Sequence, residues 1–373
     1  MNVSVRTSTV LTIIILSAMF PTIAATSTAN SGELRISQGG TLDFNFIAYG
    51  DTRSPDFQGV SPVHESIVNA YLQQDPEFIL HTGDMVGWGA IYEQWASFND
   101  SMTAVWEAGI PFYGAAGNHE KYTSVYYQYD LTFTNYTTFF DYSSVIDEPG
   151  ETELYYSFDY EGIHFIVLNT EDYFDDVEFG TNVFNCSEAQ LTWLLADLSN
   201  IGLDDFVVAM FHRPLWSVRE NRPDRWEQAE TVRAEFHDLF VEYDVDLVFN
   251  GHDHYYYRTL RDGIYYVTTG GGGAELHGPD TNAPIWQSSD VAASEYHYCN
   301  VNVNSTHVTV DVMKTDDTTI DSFSIDISAA STTTTTSSSI PPDFSTLTIA
   351  IALTGAVVVV VVLVIFLTRR KAR

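Results

Sequence analysis

Short apolar runs recur along the first two-thirds of this chain, and polar blocks close them. Residues 44–49, 78–81, 111–115, 206–211 and 246–249 are rich in Phe, Val, Ile and Leu and bounded by turn-forming residues, which predicts buried β-strands. Between them, 63–72, 92–107 and 227–243 place apolar residues at helical spacing, and Ser187 followed by Glu188 predicts the capped start of another helix. Segments 154–160 and 163–170 flank Glu161-Gly162 and read as a hairpin. From Tyr255 onward the pattern is that of strands at 255–260, 264–269, 297–302, 308–314 and 320–327. Segments 122–149 and 171–186 follow neither period and are expected as loops. Strands alternating with helices, then a β-rich end, predict mixed sheets covered by helices.

The two ends follow a different logic. Arg6, the apolar run 10–20 and the small residues Ala24 and Ala25 predict a signal peptide over 1–25. Residues 349–367 carry no charge and are followed by Arg369, Arg370, Lys371 and Arg373. This predicts a transmembrane helix over 345–368 with a basic cytoplasmic tail at 369–373. The Ser/Thr run ending in Pro341-Pro342 predicts a stalk over 329–344, leaving 30–328 as one folded domain outside the cell. The tail also resembles prokaryotic surface-sorting tails, in which the helix is cut and a lipid anchor replaces it, so retention and cleavage both stay open.

Hydrophobic content of 45% over 373 residues supports a large core and excludes general disorder. The net charge of −34 repels nucleic acid, so no such partner is expected. Cys186 and Cys299 are the two cysteines; pairing or separate thiols are both compatible with their spacing. Asn99, Asn135, Asn185 and Asn304 begin glycosylation triplets, as expected of an exported glycoprotein.

Candidate chemistry sits where the strands end. Gly50-Asp51-Thr52-Arg53, Gly83-Asp84, Gly117-Asn118-His119-Glu120, Phe211-His212-Arg213-Pro214 and Gly251-His252-Asp253-His254 each follow a predicted strand. Side chains at the ends of successive strands converge on one edge of a sheet. Carboxylates, an amide and imidazoles suit divalent cations. These blocks, in this order, resemble those of the calcineurin-like metallophosphoesterases, and most of all the purple-acid-phosphatase-like branch. The helix beginning at Ser187 and the run Tyr265-Tyr266-Val267-Thr268-Thr269-Gly270 add to the likeness, which covers about 44–273.

The resemblance implies a four-layer αββα sandwich and a phosphoester hydrolase with two metal ions (Fe, Zn or Mn), which the helix expected over 345–368 would anchor to a membrane. It implies that Asp84 bridges the ions, that Asp51 and His254 complete the shell of the first, and that Asn118, His212 and His252 complete that of the second. A hydroxide shared by the ions would attack phosphorus. His119 would orient the phosphate or protonate the departing oxygen, with Glu120 as a possible orienter of it. Two positions depart from the family. Arg53 stands where many relatives have a ligating His; it would grip phosphate or pair with a carboxylate. Gly87 stands where purple acid phosphatases have a ligating Tyr, so no tyrosinate colour is expected. His81 and residues 270–273 read as structural, and Tyr255–Tyr257 as packing or pocket lining. His64, His164, His237, His277, His297 and His307 match no ligand position. The expected activity is that of a phosphomonoesterase acting on a small phosphoester. A phosphodiesterase or nucleotide hydrolase of the same fold, or a catalytically silent surface binding protein, are the alternatives. Oligomeric state is left open.

Overall fold

Phe46 and Ala48 point to one side of the first strand, β1 (Asp43–Tyr49), Ile47 and Tyr49 point to the other, and all four are buried. A strand apolar on both faces needs cover on both, and β1 lies inside a sheet between two layers. The computed structural model describes residues 42–327 except 57–58, 124–129, 131, 147, 172–185 and 203–204. The predicted signal peptide, stalk, transmembrane helix and tail lie outside those residues. Among the described residues no helix is long and apolar enough to cross a membrane.

The first sheet has a parallel half, β1 with β2 (Phe78–His81) and β3 (Phe112–Gly114). Its antiparallel half adds β11 (Tyr298–Asn304), β12 (His307–Met313) and β13 (Thr319–Asp326) beyond β1. The second sheet runs β10-β8-β9-β7-β6-β5-β4. Here β5 (Ile163–Val167), β6 (Phe206–Phe211), β7 (Leu247–Asn250) and β9 (Ile264–Thr269) are parallel. The antiparallel members are β4 (Tyr156–Tyr160), β8 (Tyr256–Arg261) and β10 (Val291–Ala293). Left-handed Glu161 (φ 48°) and Gly162 (φ 84°) close the β4–β5 hairpin, as a two-residue turn between twisted strands requires.

The sheets face each other through aromatic residues. Phe46 stacks on Phe78 at 5.0 Å and meets Phe165 of the second sheet edge-on at 5.4 Å. On the outer side of the first sheet lie α1 (Pro62–Tyr71) and α2 (Tyr92–Ser101), which bury Tyr71, Trp95 and Phe98. On the outer side of the second, Val207, Ala209 and Phe211 pack under α5 (Glu188–Leu198) and α6 (Pro223–Glu242). The layers thus run helices, sheet, sheet, helices.

Three elements differ from the expectation. The helix over 92–107 breaks at Met102 (ψ 4°) into α2 and α3 (Thr103–Ala108). Ser101 Oγ donates to Phe98 O and Thr103 Oγ1 to Asp100 O, so hydroxyls compete for the carbonyls at the break. Segment 122–149 contains α4 (Thr134–Phe139), where Tyr136 packs on Trp95 and donates to Gly114 O; aromatic packing rather than period makes this helix. The short edge strand β10 was not expected at all. Cys186 lies beside α5 and Cys299 in β11 of the other sheet; both are thiols, so the pairing is not made.

His164 on β5 sits between Asp159 Oδ1 at 2.7 Å and Asp197 Oδ2 at 3.1 Å. Burial alone would lower its pKa; the two aspartates outweigh this and raise it to about 9. A group held above its unfolded pKa of about 6.5 stabilises the fold fully below that value and loses its contribution as pH rises through about 9. His164→Gln should therefore lower stability by roughly 1–3 kcal/mol at pH 6, discounted for the exposed Asp159. At pH 10 it should cost much less. Urea unfolding at both values measures the difference.

Candidate metal centre

Both sheets deliver side chains to one end of the sandwich. Asp51, Asp84 and Asn118 follow β1, β2 and β3 of the first sheet, while His212 follows β6 and His252 and His254 follow β7 of the second. The chain turns sharply at three of these points. Asp51, Asp84 and His252 have φ of 61°, 56° and 69°, left-handed conformations that cost non-glycine residues about 1–2 kcal/mol each. Backbone bonds hold them: Asp51 N donates to Gly83 O at 2.9 Å, Thr52 N to Asp84 O at 3.0 Å, and Gly251 N to His212 O at 2.9 Å. Gly83 has φ 98°, and a Cβ there would press at 2.8 Å on His212 Nδ1, so the turn requires glycine.

Glu120 supplies the strongest support. Its buried carboxylate accepts from Asp84 N at 2.8 Å, Gly117 N at 2.7 Å and Met85 N at 2.8 Å. It clamps the Asp84 turn to the Asn118 turn. His81 accepts from Gly83 N through Nδ1, in keeping with a structural role.

The side chains converge closely. Asp84, His212 and His252 form one group of donors and Asp51, Asp84 and His254 a second, each with its donor atoms within 4.8 Å of one another. Asp84 belongs to both. His212 Nε2 lies 3.3 Å from Asp84 Oδ1, 3.3 Å from Asn118 Oδ1 and 3.2 Å from His252 Nδ1. Bonds of about 2.0–2.1 Å to one cation would separate neighbouring donors by about 3.0–3.4 Å, so this set fits an ion. The other ring nitrogens are tied back, His212 Nδ1 to Thr82 O at 2.8 Å and His254 Nδ1 to Glu275 O at 2.7 Å. Such bonds leave Nε2 as the metal-facing atom. The Asp and His groups can therefore hold two metal ions.

Charge in the cluster is unbalanced without cations. Burial pushes Asp51 well up, and Asp84 beside it adds to the rise. Asp84 is also penalised by burial, but His212, His119 and Arg53 hold it well below the usual carboxylate range. Burial would depress His212, yet Asp84, Asp51 and Glu171 lift it to about 9. Burial keeps His119 and His254 neutral, at about 3.

The remaining sequence candidates fall around this cluster. Arg53 Nε lies 3.9 Å from Asp84 Oδ2 and Nη1 donates to Ser54 O, which places the guanidinium beside the shared carboxylate. His119 Nδ1 donates to Gly87 O at 2.7 Å, and Nε2 is 3.8 Å from Asp84 Oδ2. Gly87 N is held by the buried Gln94 side chain, and no tyrosine stands there. Residues 270–273 are a close packing point: Gly272 N donates to Gly50 O and Ala274 N to Asp51 O. Tyr255, Tyr256 and Tyr257 are fully buried, as packing rather than lining. His277 was given no role, yet it stacks on His254 at 4.0 Å and accepts from His254 N through Nδ1. Lys121, Glu171 and Arg213 also went unremarked and form a buried ionic group beside His252. Their only sequence signal is that Lys121 follows the third block and Arg213 lies within the fourth.

Residues 46–256 match the calcineurin-like phosphoesterase family, and 263–322 match the iron/zinc purple acid phosphatase-like protein C family. The chain belongs to the calcineurin-like phosphoesterase family, and its second match is purple-acid-phosphatase-like. The second match carries the likeness well beyond residue 273. Purple acid phosphatase 13 of Arabidopsis thaliana is 34% identical over 194 residues, 49% of this chain and 32% of that protein. Acid phosphatase type 7 of Mus musculus is 28% identical over 242 residues, 56% of this chain and 51% of that protein. The chain thus spans between a third and a half of the length of these relatives. The purple acid phosphatase from yellow lupin (Lupinus luteus) seeds has the same fold, with a TM-score of 0.62 at 20% identity, over 77% of this chain and 54% of that one. So does the anchor in the inner membrane complex of Plasmodium, at 0.53 and 14%, over 78% and 90%.

Since His212 Nε2 holds a proton below about pH 9 in the metal-free site, an ion must displace it. Metal binding should release a proton and weaken by up to about tenfold per pH unit on acidification. Calorimetry in buffers of different ionisation enthalpy reads this; a buffer-independent heat at pH 7 would contradict it.

Proposed function

We propose that this protein is a metal-dependent phosphoester hydrolase, acting on small phosphomonoesters, exported and held at a membrane by its C-terminal helix. The observation that carries the hydrolytic reading is Asp84, shared by two buried donor groups that meet at the ends of four strands. In it, Asp51, Asp84 and His254 hold one ion, and Asp84, Asn118, His212 and His252 hold the other. Two such ions would polarise the phosphoryl oxygens and supply a nucleophile from water near neutral pH. The uncharged run 349–367 before a basic cluster supports the anchor.

The protein's own side chains complete the reaction. Arg53, beside Asp84, would grip a phosphoryl oxygen and balance the charge that builds as the ester bond breaks. His119 turns its Nε2 lone pair toward the site while Nδ1–H is bound to Gly87 O. A bound phosphate dianion would raise the affinity of Nε2 for a proton, which His119 then passes to the leaving oxygen. Glu120 keeps Asp84 and Asn118 in register throughout.

A silent binding protein is the second reading, favoured by Arg53 and Gly87 at positions where relatives carry ligands and by a fold neighbour described as an anchor. Turnover separates them. With Mn, Zn, Fe or Co supplied, the protein should hydrolyse p-nitrophenyl phosphate at least about tenfold faster than the bis-ester. Asn118→Ala and His212→Ala should each lower kcat/KM by about a hundredfold or more, equivalent to about 2.7 kcal/mol. Metal-loaded protein without turnover would favour the binding role. Arg53→Ala should weaken inhibition by inorganic phosphate about tenfold with metal content unchanged; lost metal with unaltered inhibition would reverse the assignment.

A further inference from the structure

His254 is gripped from behind by a segment to which the reaction assigns nothing. Residues 275–277 follow β9 and meet it through three hydrogen bonds and a ring contact. His254 Nδ1 donates to Glu275 O at 2.7 Å, His254 N donates to His277 Nδ1 at 3.0 Å, and His277 N donates to His254 O at 2.8 Å. The two imidazole rings are stacked, with centroids 4.0 Å apart and planes 15° from parallel. These contacts fix the backbone, the ring plane and the tautomer of His254, whose Nε2 lies 3.4 Å from Asp51 Oδ1.

The gripping segment is itself tied down. Glu220 N donates to Gly278 O at 2.8 Å and Asp280 N to Val218 O at 2.5 Å, so 218–220 and 278–280 form a short antiparallel ladder around the Arg219–Pro279 pair. Asp253, a buried carboxylate between His252 and His254 in the chain, anchors this ladder. Its Oδ2 accepts from Ser217 Oγ at 2.5 Å and from Tyr255 OH at 2.9 Å, and the Tyr255 hydroxyl accepts from Val218 N at 3.1 Å. Both bonds therefore lead to residues 217–218.

Packing alone would ask only for an apolar side chain against the His254 ring. His277 also gives its Nδ1 lone pair to the His254 amide, which fixes the backbone that carries the ring. In the reading above the first ion has three protein donors and the second has four, so loose orientation of His254 costs the first ion more. A ligand oriented by its surroundings loses less freedom when the ion binds. We propose that His277, held by the ladder and by Asp253, is a positioning residue for His254 and sets the affinity of the protein for the first ion. This rests on the metal-dependent reading.

Calorimetric titration of the full chain with Zn or Mn, checked by metal analysis, tests it. His254→Ala marks the binding step of the first ion, and Asn118→Ala marks that of the second. Leu and Asn have nearly the same shape, and only Asn can offer an oxygen where Nδ1 stands. His277→Leu should weaken the step lost in His254→Ala by about ten- to a hundredfold, as removal of a ligand's hydrogen-bond partner does. The other step should stay within about threefold. His277→Asn should keep both steps within about threefold of the unaltered protein. An unchanged first step in His277→Leu, an equal loss in His277→Asn, or equal weakening of both steps overturns the proposal. Should His277→Leu fail to fold, Ser217→Ala removes one bond from Asp253 and reads the same step. It should weaken that step at least about threefold, and no change there overturns the brace. Protein that takes up no metal in any form sinks the metal reading, whereas loaded protein whose first step survives His277→Leu sinks only this one.

Discussion

The constraint behind the whole arrangement is that two carboxylates, Asp51 and Asp84, are buried in one donor cluster where water cannot screen them. Charge of one sign at that depth is tolerated only when it is met by opposite charge or by hydrogen bonds. The surroundings answer with His212, Arg53, the His252 and His119 amides, and the bonds that hold three left-handed turns in place. These partners do not offset the cost of burying Asp51, to which Asp84 adds, so Asp51 stays pushed upward. A site that remains short of positive charge after its protein partners are counted is one prepared for cations.

Strand ends were legible because apolar runs stop abruptly at glycine followed by a polar residue, a pattern that depends on neighbours in the chain. The same reasoning marked most of the strands, the hairpin turn at Glu161-Gly162 and the cap at Ser187, while the stacking of two sheets came from the family resemblance. It failed where the deciding contacts are remote. Glu120 reaches back 36 residues to the Asp84 amide, and Arg213 reaches 42 residues to Glu171. His277 finds the His254 amide 23 residues away. No local pattern marks such partners, and α4 likewise owes its form to Trp95 and Gly114 rather than to its own spacing. The helix broken at Met102 shows the opposite limit: its period was correct, and hydroxyl side chains overruled it.

The two departures from the family pattern have different structural costs. Gly87 offers no side-chain ligand, and its backbone is fixed by Gln94, which accepts from its N–H, and by His119, which donates to its carbonyl. Arg53 introduces a permanent cation beside the carboxylate that both donor groups share. It weakens the pull of that carboxylate on a metal while offering a phosphate a second attachment.

Because one half of the donors springs from each sheet, any ion that engages Asp84 and His212 together is also a rivet through the sandwich. At that end the layers meet through polar side chains instead of the aromatic interior around Phe46 and Phe165. Robustness and ion supply then become a single quantity for this molecule: by mass action, each tenfold excess of free metal over its dissociation constant adds about 1.4 kcal/mol to the folded state. In surroundings poor in transition metals that contribution is lost, and the two sheets are held less firmly together at this edge.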